Sequence, residues 1–333
     1  MSDRPAGLLA RLRPDTYVLL IVSMVVLASV LPATGAAAPA LDVVTKFAIG
    51  GVFFLHGAKL SREAVLRGLT HWRLHLLVLS VTFGLFPLLC LGLASLPEPI
   101  APKALAPGLL FLGCLPSTIQ SSIGFTAIAR GDVAAAVAAA TASNLLGVFL
   151  TPLLAALMLG SQGGGSALSS VEAIVMLLLA PFLAGQLLRP VIGGWVQRNA
   201  KFLTYFDRGA ILLVVYGAFS HAVAGGIWRQ IGAWDLVRLL ALCAVLLAVV
   251  LAATRTLART LGFAKADEIA IVFCGSKKSL ASGVPMAGLM FPGGAGIVLL
   301  PLMIFHQIQL MACATIAQAY ARRDQDAVSP TAE

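Results

Sequence analysis

The chain contains 333 residues, of which 59% are hydrophobic and only 11% are charged, and its mean hydropathy is +0.95. An ordinary soluble domain has about 25% charged residues. This composition therefore excludes a disordered chain, a nucleic-acid-binding module and a typical soluble enzyme, despite the net charge of +9. The remaining class is a polytopic membrane protein that lies in a lipid bilayer and is all-α.

Ten apolar segments follow one another along the chain, and each is close to the roughly 20 residues that a membrane-spanning helix needs. They lie near residues 15–31, 42–57, 74–96, 104–128, 133–159, 171–188, 207–225, 235–254, 268–290 and 296–319. The polar loop at 160–170, which contains Gly163, Gly164 and Gly165, leaves five segments on each side. An odd number of spans per half is typical of an inverted repeat. We therefore expect a first repeat in residues 1–160 and a second in residues 161–333.

The distribution of basic residues predicts the topology, because Lys and Arg accumulate in cytoplasmic loops. With both termini in the cytoplasm, 17 of the 23 Lys and Arg residues fall in cytoplasmic segments, four fall in outer segments, and two lie inside the ninth span. We expect a multi-pass protein of a bacterial inner membrane with cytoplasmic N- and C-termini. One alternative stays open: Arg4, Arg11 and Arg13, followed by an apolar run, also resemble a signal peptide, whose cleavage would leave nine spans.

Two of the ten segments are interrupted by helix-breaking residues. The fourth contains Cys114-Leu-Pro-Ser-Thr-Ile-Gln-Ser-Ser122, and the ninth contains Cys274-Gly-Ser-Lys-Lys-Ser-Leu-Ala-Ser-Gly283. Each is the fourth span of its half, and backbone groups that Gly or Pro frees within lipid need partners in protein or in a wet cavity. Paired interruptions at matching places favour a transporter's binding site, although small and hydroxyl residues also serve helix packing.

Lys277 and Lys278 are the least expected residues in the ninth span. Each charge at a helix centre costs about 2.5–3.5 kcal/mol on insertion scales. All 14 acidic residues fall in loops, tails or span ends, so the lysines must meet backbone carbonyls, meet an anion, or lose a proton. Neighbouring positions point about 100° apart on a helix, so one lysine is expected to anchor the break while the other faces a cavity. The alternative is that both only satisfy free carbonyls.

The candidate residues for binding a substrate or an ion are polar residues of the fourth, fifth and ninth spans: Ser117, Thr118, Gln120, Ser121, Ser122, Thr141, Ser143, Asn144, Ser276, Lys277, Lys278, Ser279 and Ser282. His306 and Gln307 of the tenth span are weaker candidates, because a lone histidine in a membrane span is more often a hydrogen-bonding packing residue. The five cysteines include no CxxC pair, so we predict neither a disulfide framework nor a metal site, and no cofactor. Ser276 and Lys277 resemble a Ser/Lys nucleophile pair, but neighbours on a helix do not face each other, so no catalytic residue and no enzyme is expected.

These residues resemble the bile acid:sodium symporter superfamily, solute carrier family 10, and most closely the branch that contains its seventh member and bacterial relatives. The resemblance covers nearly the whole chain and is most specific at residues 273–283, 115–122 and 129–131. It implies ten helices in two inverted five-helix repeats, in which the fourth and ninth helices break and cross. It also implies a panel domain and a core domain, each drawn from both repeats, that move for alternating access.

The sodium chemistry that the resemblance implies does not transfer cleanly to this chain. The bile-acid-transporting relatives use a Ser-Asn pair near the place of Ser121 and Ser122, and a Glu and a Gln that align with Val272 and Ser276. Hard cations prefer several oxygen ligands that include carboxylates, and the carboxylate is missing here. We infer that one of the two adjacent lysines supplies the positive charge that sodium supplies in those relatives.

The sequence therefore predicts a secondary active transporter of a small organic anion that works by alternating access, with Na⁺, H⁺ or no ion coupled and no nucleic-acid partner. One alternative is a sodium-coupled symporter for bile-acid- or sterol-type anions. Another is a membrane regulator that transports nothing, since the resemblance implies an effect of this branch on calcium homeostasis. The short tail at 322–333 offers such a regulator little surface for a partner. The oligomeric state stays open.

Overall fold

The computed structural model describes residues 16–59, 71–159, 167–291 and 294–328. Within these ranges the chain forms helices and no strand. The α-helices follow in this order: α1 (Thr16–Val30), α2 (Ala37–Lys59), α3 (Trp72–Ser80), α4 (Phe86–Ser95), α5 (Ala106–Cys114), α6 (Gln120–Ile128), α7 (Val133–Leu159), α8 (Ala167–Arg198), α9 (Ala200–Ala224), α10 (Ile227–Gln230), α11 (Ala233–Thr260), α12 (Lys265–Gly275), α13 (Leu280–Met290) and α14 (Ala295–Val328). A π-helical turn, Val81–Leu85, joins α3 to α4, and a 3-10 turn, Lys103–Leu105, precedes α5.

Some sequence predictions fall outside the described ranges. These are the basic residues Arg4, Arg11 and Arg13 of the signal-peptide alternative, the three glycines at 163–165, and the boundary between the predicted repeats at 160/161.

The predicted membrane class is confirmed by six apolar helical stretches, each long enough to cross a bilayer. Among the described residues these are Ala37–Lys59, Trp72–Ser95, Val133–Leu159, Ala200–Ala224, Ala233–Thr260 and Ala295–Arg322. The count of ten spans and the inverted repeat stay predictions. The fourth and ninth predicted segments are split into halves of nine and eleven residues, which rise only about 14–17 Å and so reach half-way across a hydrocarbon core of about 30 Å.

The two interruptions occur where proline and serine residues stop the helix. Leu115 is extended, with φ −75° and ψ 152°, because a residue before proline is driven out of the helical region. Ser279 is also extended and caps α13, since its Oγ accepts a hydrogen bond from the backbone N–H of Ser282 at 3.2 Å. Residues 115–119 and 276–279 are therefore non-helical segments in the interior of the fold.

One group of packed helices consists of α1, α2, α8 and α9. Its closest contact joins α2 and α8, and it depends on two glycines. A Cβ atom at Gly57 would lie 2.0 Å from the carbonyl oxygen of Phe182, and one at Gly185 would lie 1.9 Å from the carbonyl oxygen of Phe54. The two backbones thus touch directly, as small residues allow in membrane helix pairs.

The broken helices lie within a second group, in which α5 packs against α4, α7 and α14, and α12 packs against α6, α7 and α11. Aromatic pairs fill its interior. The rings of Phe86 and Phe305 meet edge to face with centroids 5.8 Å apart, and those of Phe111 and Phe291 do so at 5.4 Å. The non-helical segments are thereby held in a packed and mostly apolar environment.

A buried carboxylate holds the corner between α11 and α12. Glu268 is only 4% exposed. It pairs with Lys265 at 2.8 Å, Arg259 at 3.1 Å and Arg255 at 3.8 Å, and the hydroxyl of Tyr320 donates to it at 3.0 Å. These partners come from α11, α12 and α14. This one carboxylate therefore ties three helices together at the N-terminal end of α12, the first half of the broken ninth span.

Candidate functional site

The two breaks meet and hydrogen bond directly to each other, and this contact is called the crossing. The Ser117 hydroxyl donates to the carbonyl of Cys274 at 2.6 Å, and the backbone N–H of Ser279 donates to the carbonyl of Pro116 at 2.8 Å. Each break therefore supplies partners for backbone groups that the other break leaves free, as membrane-buried irregular backbone requires.

Helix α7 adds a bridge between the breaks. The Ser143 hydroxyl accepts from the backbone N–H of Ser117 at 3.0 Å, and the Asn144 amide donates to the Ser117 carbonyl at 2.7 Å. The Asn144 Oδ1 atom accepts from the hydroxyl of Ser282 on α13 at 2.8 Å. One asparagine side chain thus contacts both broken helices.

Hydroxyl groups surround the start of α6. The Thr118 hydroxyl lies 2.7 Å from that of Ser121 and 3.0 Å from that of Ser122, and Ser122 donates to the carbonyl of Phe273 at 3.0 Å. These side chains satisfy one another and the end of α12. Thr118 and Ser122 are buried.

Lys278 occupies a cage of carbonyl oxygens. Its side chain is fully buried, and Nζ donates to the carbonyls of Thr82 at 2.8 Å, Gly113 at 2.7 Å and Leu115 at 2.7 Å. The ring of Phe86 lies 4.2 Å from the same nitrogen. An ammonium group has three N–H donors, so its three protons match the three acceptors one to one.

Lys277 is also fully buried but has fewer polar partners. Its Nζ donates to the carbonyl of Ser121 at 3.0 Å and lies 3.8 Å from the ring centre of Phe125 and 5.5 Å from that of Phe273. Attraction between the cation and two ring faces replaces the missing oxygens. The two adjacent lysines therefore point into different surroundings, one of carbonyls and one of aromatic rings.

A cavity of about 470 Å³ lies next to the crossing, between the two groups of helices. Its apolar wall includes Val52, Phe53, Phe182 and Ile211. The predicted site residues that line it are Thr118, Gln120, Ser121, Thr141, Asn144, Ser279 and Ser282. The remaining predicted site residues, Ser117, Ser122, Ser143, Ser276, Lys277 and Lys278, are buried behind this wall. The predicted cluster is thus brought together, but neither lysine side chain faces the cavity.

The cavity lining also includes charged residues that are not among the predicted site residues. Lys59 on α2 pairs with Asp207 on α9 at 2.6 Å, and the guanidinium of Arg208 lies 5.0 Å from the ring centre of Tyr17. Asp207 is the only acidic residue among the described residues that line the cavity. Among the described lining residues, the one carboxylate is therefore paired with a lysine.

Gln309 on α14 is a further residue that is not among the predicted site residues. It is fully buried, and its amide binds the peptide group of Lys278: Oε1 accepts from the N–H at 2.9 Å, and Nε2 donates to the carbonyl at 3.0 Å. Nε2 also lies 2.9 Å from Nδ1 of His306, which lines the cavity. Polar residues at 306, 307 and 309 of an apolar span were the available signal, since positions three apart share a helix face.

Within the part of the chain that the structure describes, no group of three His, Cys, Asp or Glu side chains is placed to hold a metal ion. The five cysteines are all buried and unpaired with one another.

Comparison with known proteins gives relatives over nearly the whole chain. The SBF-like CPA transporter family matches residues 15–322. The chain is 55% identical over 325 residues to the uncharacterized protein PA2026 of Pseudomonas aeruginosa, which covers 97% of this chain and 98% of that one. It is 50% identical over 312 residues to "Putative symporter YfeH" of Escherichia coli, covering 93% and 94%. It is 29% identical over 314 residues to sodium/bile acid cotransporter 7-B of Xenopus laevis, covering 92% and 91%.

Proposed function

We propose, from the premise that this chain belongs to the SBF-like CPA transporter family, that it moves a small organic anion across the membrane by alternating access. The observation that carries this proposal is the cavity of about 470 Å³ beside the crossing of two broken helices. A cavity of this size is typical of sites for small organic molecules. Broken helices that meet beside it are typical of secondary transporters.

The charge around the cavity favours an anion. Helices α6 and α13 both begin at its wall, at Gln120 and Leu280, and helix N-termini carry a partial positive charge. Behind the wall lie two ammonium groups, and the Ser121 carbonyl that accepts from Lys277 belongs to a lining residue. In a low-dielectric interior these charges act over longer distances than in water.

The same lysines argue against sodium as the coupling ion. Three carbonyl oxygens at 2.7–2.8 Å surround the Lys278 ammonium, and oxygen atoms of this kind are what a hard metal cation requires. The cage is therefore filled by a side chain, and it offers no carboxylate to a metal ion. In this proposal Lys278 is a built-in cation that replaces an exchangeable one.

Two basic residues of the cavity lining give the conformation a direction. Lys59 and Arg208 lie in segments that the distribution of basic residues predicts to be cytoplasmic. On this assignment the cavity faces the cytoplasm, and the structure represents the inward-open state of the cycle. The group of α1, α2, α8 and α9 would be the panel, and the group that holds the broken helices would be the core.

Transport of anions by reconstituted full-length protein tests the proposal. A ligand-stabilisation screen with bile acids, sulfated sterols, dicarboxylates and phosphorylated metabolites selects the labelled substrate. Uptake into proteoliposomes is then measured with sodium and pH gradients imposed separately. We expect uptake that does not depend on sodium. Strict sodium dependence would support the second candidate, a sodium-coupled symporter, which the name of the Xenopus relative favours.

A steric block tests the cavity itself. Ala281 has an exposed side chain on the cavity wall, so Ala281→Trp should abolish uptake while the melting temperature is retained. Ala244→Trp is the matched control, because Ala244 is an exposed alanine of α11 outside the cavity. Equal uptake by both variants would overturn the assignment of the cavity as the substrate path. If no anion is taken up but ligands still stabilise the protein, the remaining candidate is a membrane regulator.

A further inference from the structure

Helix α9 borders the cavity with its first half and packs against the group that holds the broken helices with its second half. Its residues that line the cavity lie between Thr204 and Ile211. Most residues from Val214 to Ala222 are buried, and α9 contacts both α13 and α14. The same helix therefore lies along the cavity where the two groups of helices are apart, and along a direct contact where they meet.

The contact between α9 and α14 depends on Gly296, the second residue of α14. A Cβ atom at Gly296 would lie 2.6 Å from the Cβ atom of Ala222 and 2.9 Å from the carbonyl oxygen of Ala218. Non-bonded carbon atoms attract each other most strongly at about 3.5–4.0 Å, so even a methyl group at this position would push α9 and α14 apart. The two helices approach closely because small residues face each other there.

A second contact joins α13 to the other group of helices. A Cβ atom at Gly288 would lie 3.0 Å from Cγ1 of Val214 on α9 and 3.5 Å from Cδ1 of Ile49 on α2. Ile49 and Val214 are both buried. Gly288 follows the cavity-lining residue Met286 by only two positions. Helix α13 therefore passes from the cavity wall into a tight contact with α2 and α9 within one turn.

We propose that these contacts of Gly288 and Gly296 form the gate that closes the cavity towards the outer side of the membrane. Gly296 precedes His306, which lines the cavity, by ten residues of α14. On α9, Ala222 follows the lining residue Ile211 by eleven residues. At 1.5 Å per residue the gate extends about 15–17 Å beyond the cavity, which is about half of the hydrocarbon core. The distribution of basic residues predicts that these ends of α9 and α14 lie outside.

The gate differs from the other close glycine contacts in the helices that it joins. Gly57 and Gly185 join α2 to α8 within one group, and Gly108 joins α5 to α14 within the other. Contacts of this kind stay in place when each group moves as a body. Gly288 and Gly296 join one group to the other, so their contacts must separate when the cavity opens to the outer side. The atoms that meet at them are apolar side-chain atoms and one helix carbonyl, so packing holds the gate closed.

The test measures access to both ends of this interface in full-length protein in nanodiscs, with no anion added. A charged thiol reagent alkylates either Ala281→Cys, on the exposed cavity wall, or Val214→Cys, which is buried at the gate. Each reporter is combined with Gly296→Leu, whose side chain acts as a wedge between α9 and α14. Protein without an engineered cysteine gives the background from the five native cysteines, which are buried.

We expect the wedge to change the two alkylation rates in opposite directions. Gly296→Leu should raise the rate at Val214→Cys and lower the rate at Ala281→Cys, each by about threefold or more, because one end of the interface closes when the other opens. Gly92→Leu is the matched control, because a Cβ atom at Gly92 on α4 meets nothing within 4 Å, and both rates should stay unchanged. Gly57→Leu, a wedge within one group, should not produce the opposite changes.

Two other variants replace Gly296→Leu if that protein does not fold. Gly288→Leu wedges the second contact, and Gly296→Ala adds a single methyl group to the first. Both should shift the two rates in the same opposite directions. Unchanged rates in folded variants, or a rise of both rates, would overturn the gate.

The role of the gate in transport rests on the proposed function, but its closure does not, because the alkylation rates are measured without a substrate. Opposite changes of the two rates without any anion uptake would support the gate and overturn anion transport. Anion uptake with unchanged rates in the folded variants would overturn the gate and leave the proposed function in place.

Discussion

Replacing Lys278 by methionine removes the ammonium group but keeps most of the side-chain volume. Three buried carbonyls, those of Thr82, Gly113 and Leu115, then lose their donor. Each unsatisfied acceptor costs about 1–3 kcal/mol, which gives about 3–9 kcal/mol before relaxation. Burial of the ammonium in the original protein costs several kcal/mol, and this cost is removed as well. We expect a net loss of about 3–5 kcal/mol, similar to the truncation of one partner in a buried ion pair.

Lys277→Met is the matched control for this prediction. The side chain is equally buried, but it donates to a single carbonyl and otherwise contacts rings. One unsatisfied acceptor and the lost cation–π attraction, offset by the same relief of desolvation, give a net loss of about 1–2 kcal/mol. The measurement is the free energy of unfolding and the melting temperature of purified protein. A neutral or stabilising effect of Lys278→Met, or a larger loss for Lys277→Met, would refute a carbonyl cage that holds a charged lysine.

Three other variants test the structure away from the cage. Gly57→Ala should lower the melting temperature, because the new Cβ would meet a backbone carbonyl of the facing helix at 2.0 Å, whereas Gly50→Ala on the same helix meets nothing within 4 Å and should be tolerated. Glu268→Gln should cost about 2–4 kcal/mol, since it leaves three basic groups without their buried partner. Asp267→Asn, at a half-buried neighbour, should change the free energy of unfolding by less than about 1 kcal/mol. Asn144→Leu should abolish anion uptake and lower stability by about 2–3 kcal/mol, because the amide bridges both broken helices; uptake at the original rate would contradict the bridge.

Much of this arrangement could be predicted from the sequence because it depends on backbone chemistry. Pro116 and the Gly-Ser segment that begins at Gly275 interrupt their helices regardless of their neighbours, and both breaks occur where they were predicted. Their meeting is what the resemblance implies, and the hydrogen bond from Ser117 to Cys274 establishes it. The resemblance to the bile acid:sodium symporter superfamily is confirmed by the family match over residues 15–322. The predicted transport-site roles of the polar residues stay predictions.

The directions of the side chains at the breaks could not be predicted. Helical periodicity places a residue on a face only while the helix continues, and Lys277 and Lys278 lie in the segment where it stops. One lysine therefore enters a carbonyl cage and the other an aromatic pocket, with neither on the cavity wall. The polar positions 306, 307 and 309 mark a polar face of the tenth span, but they do not identify the partner of Gln309, because that partner is a peptide group of another span.

Under the proposed function, the cage around Lys278 also bears on the energy source of transport. A metal ion that fills such a site arrives from one side of the membrane and leaves on the other, and its gradient can drive cargo uphill. An ammonium group tethered to the chain never leaves. No ion gradient can therefore contribute free energy to transport through this position. In the proposed cycle, uphill movement of an anion would therefore have to draw on a gradient that acts at another position.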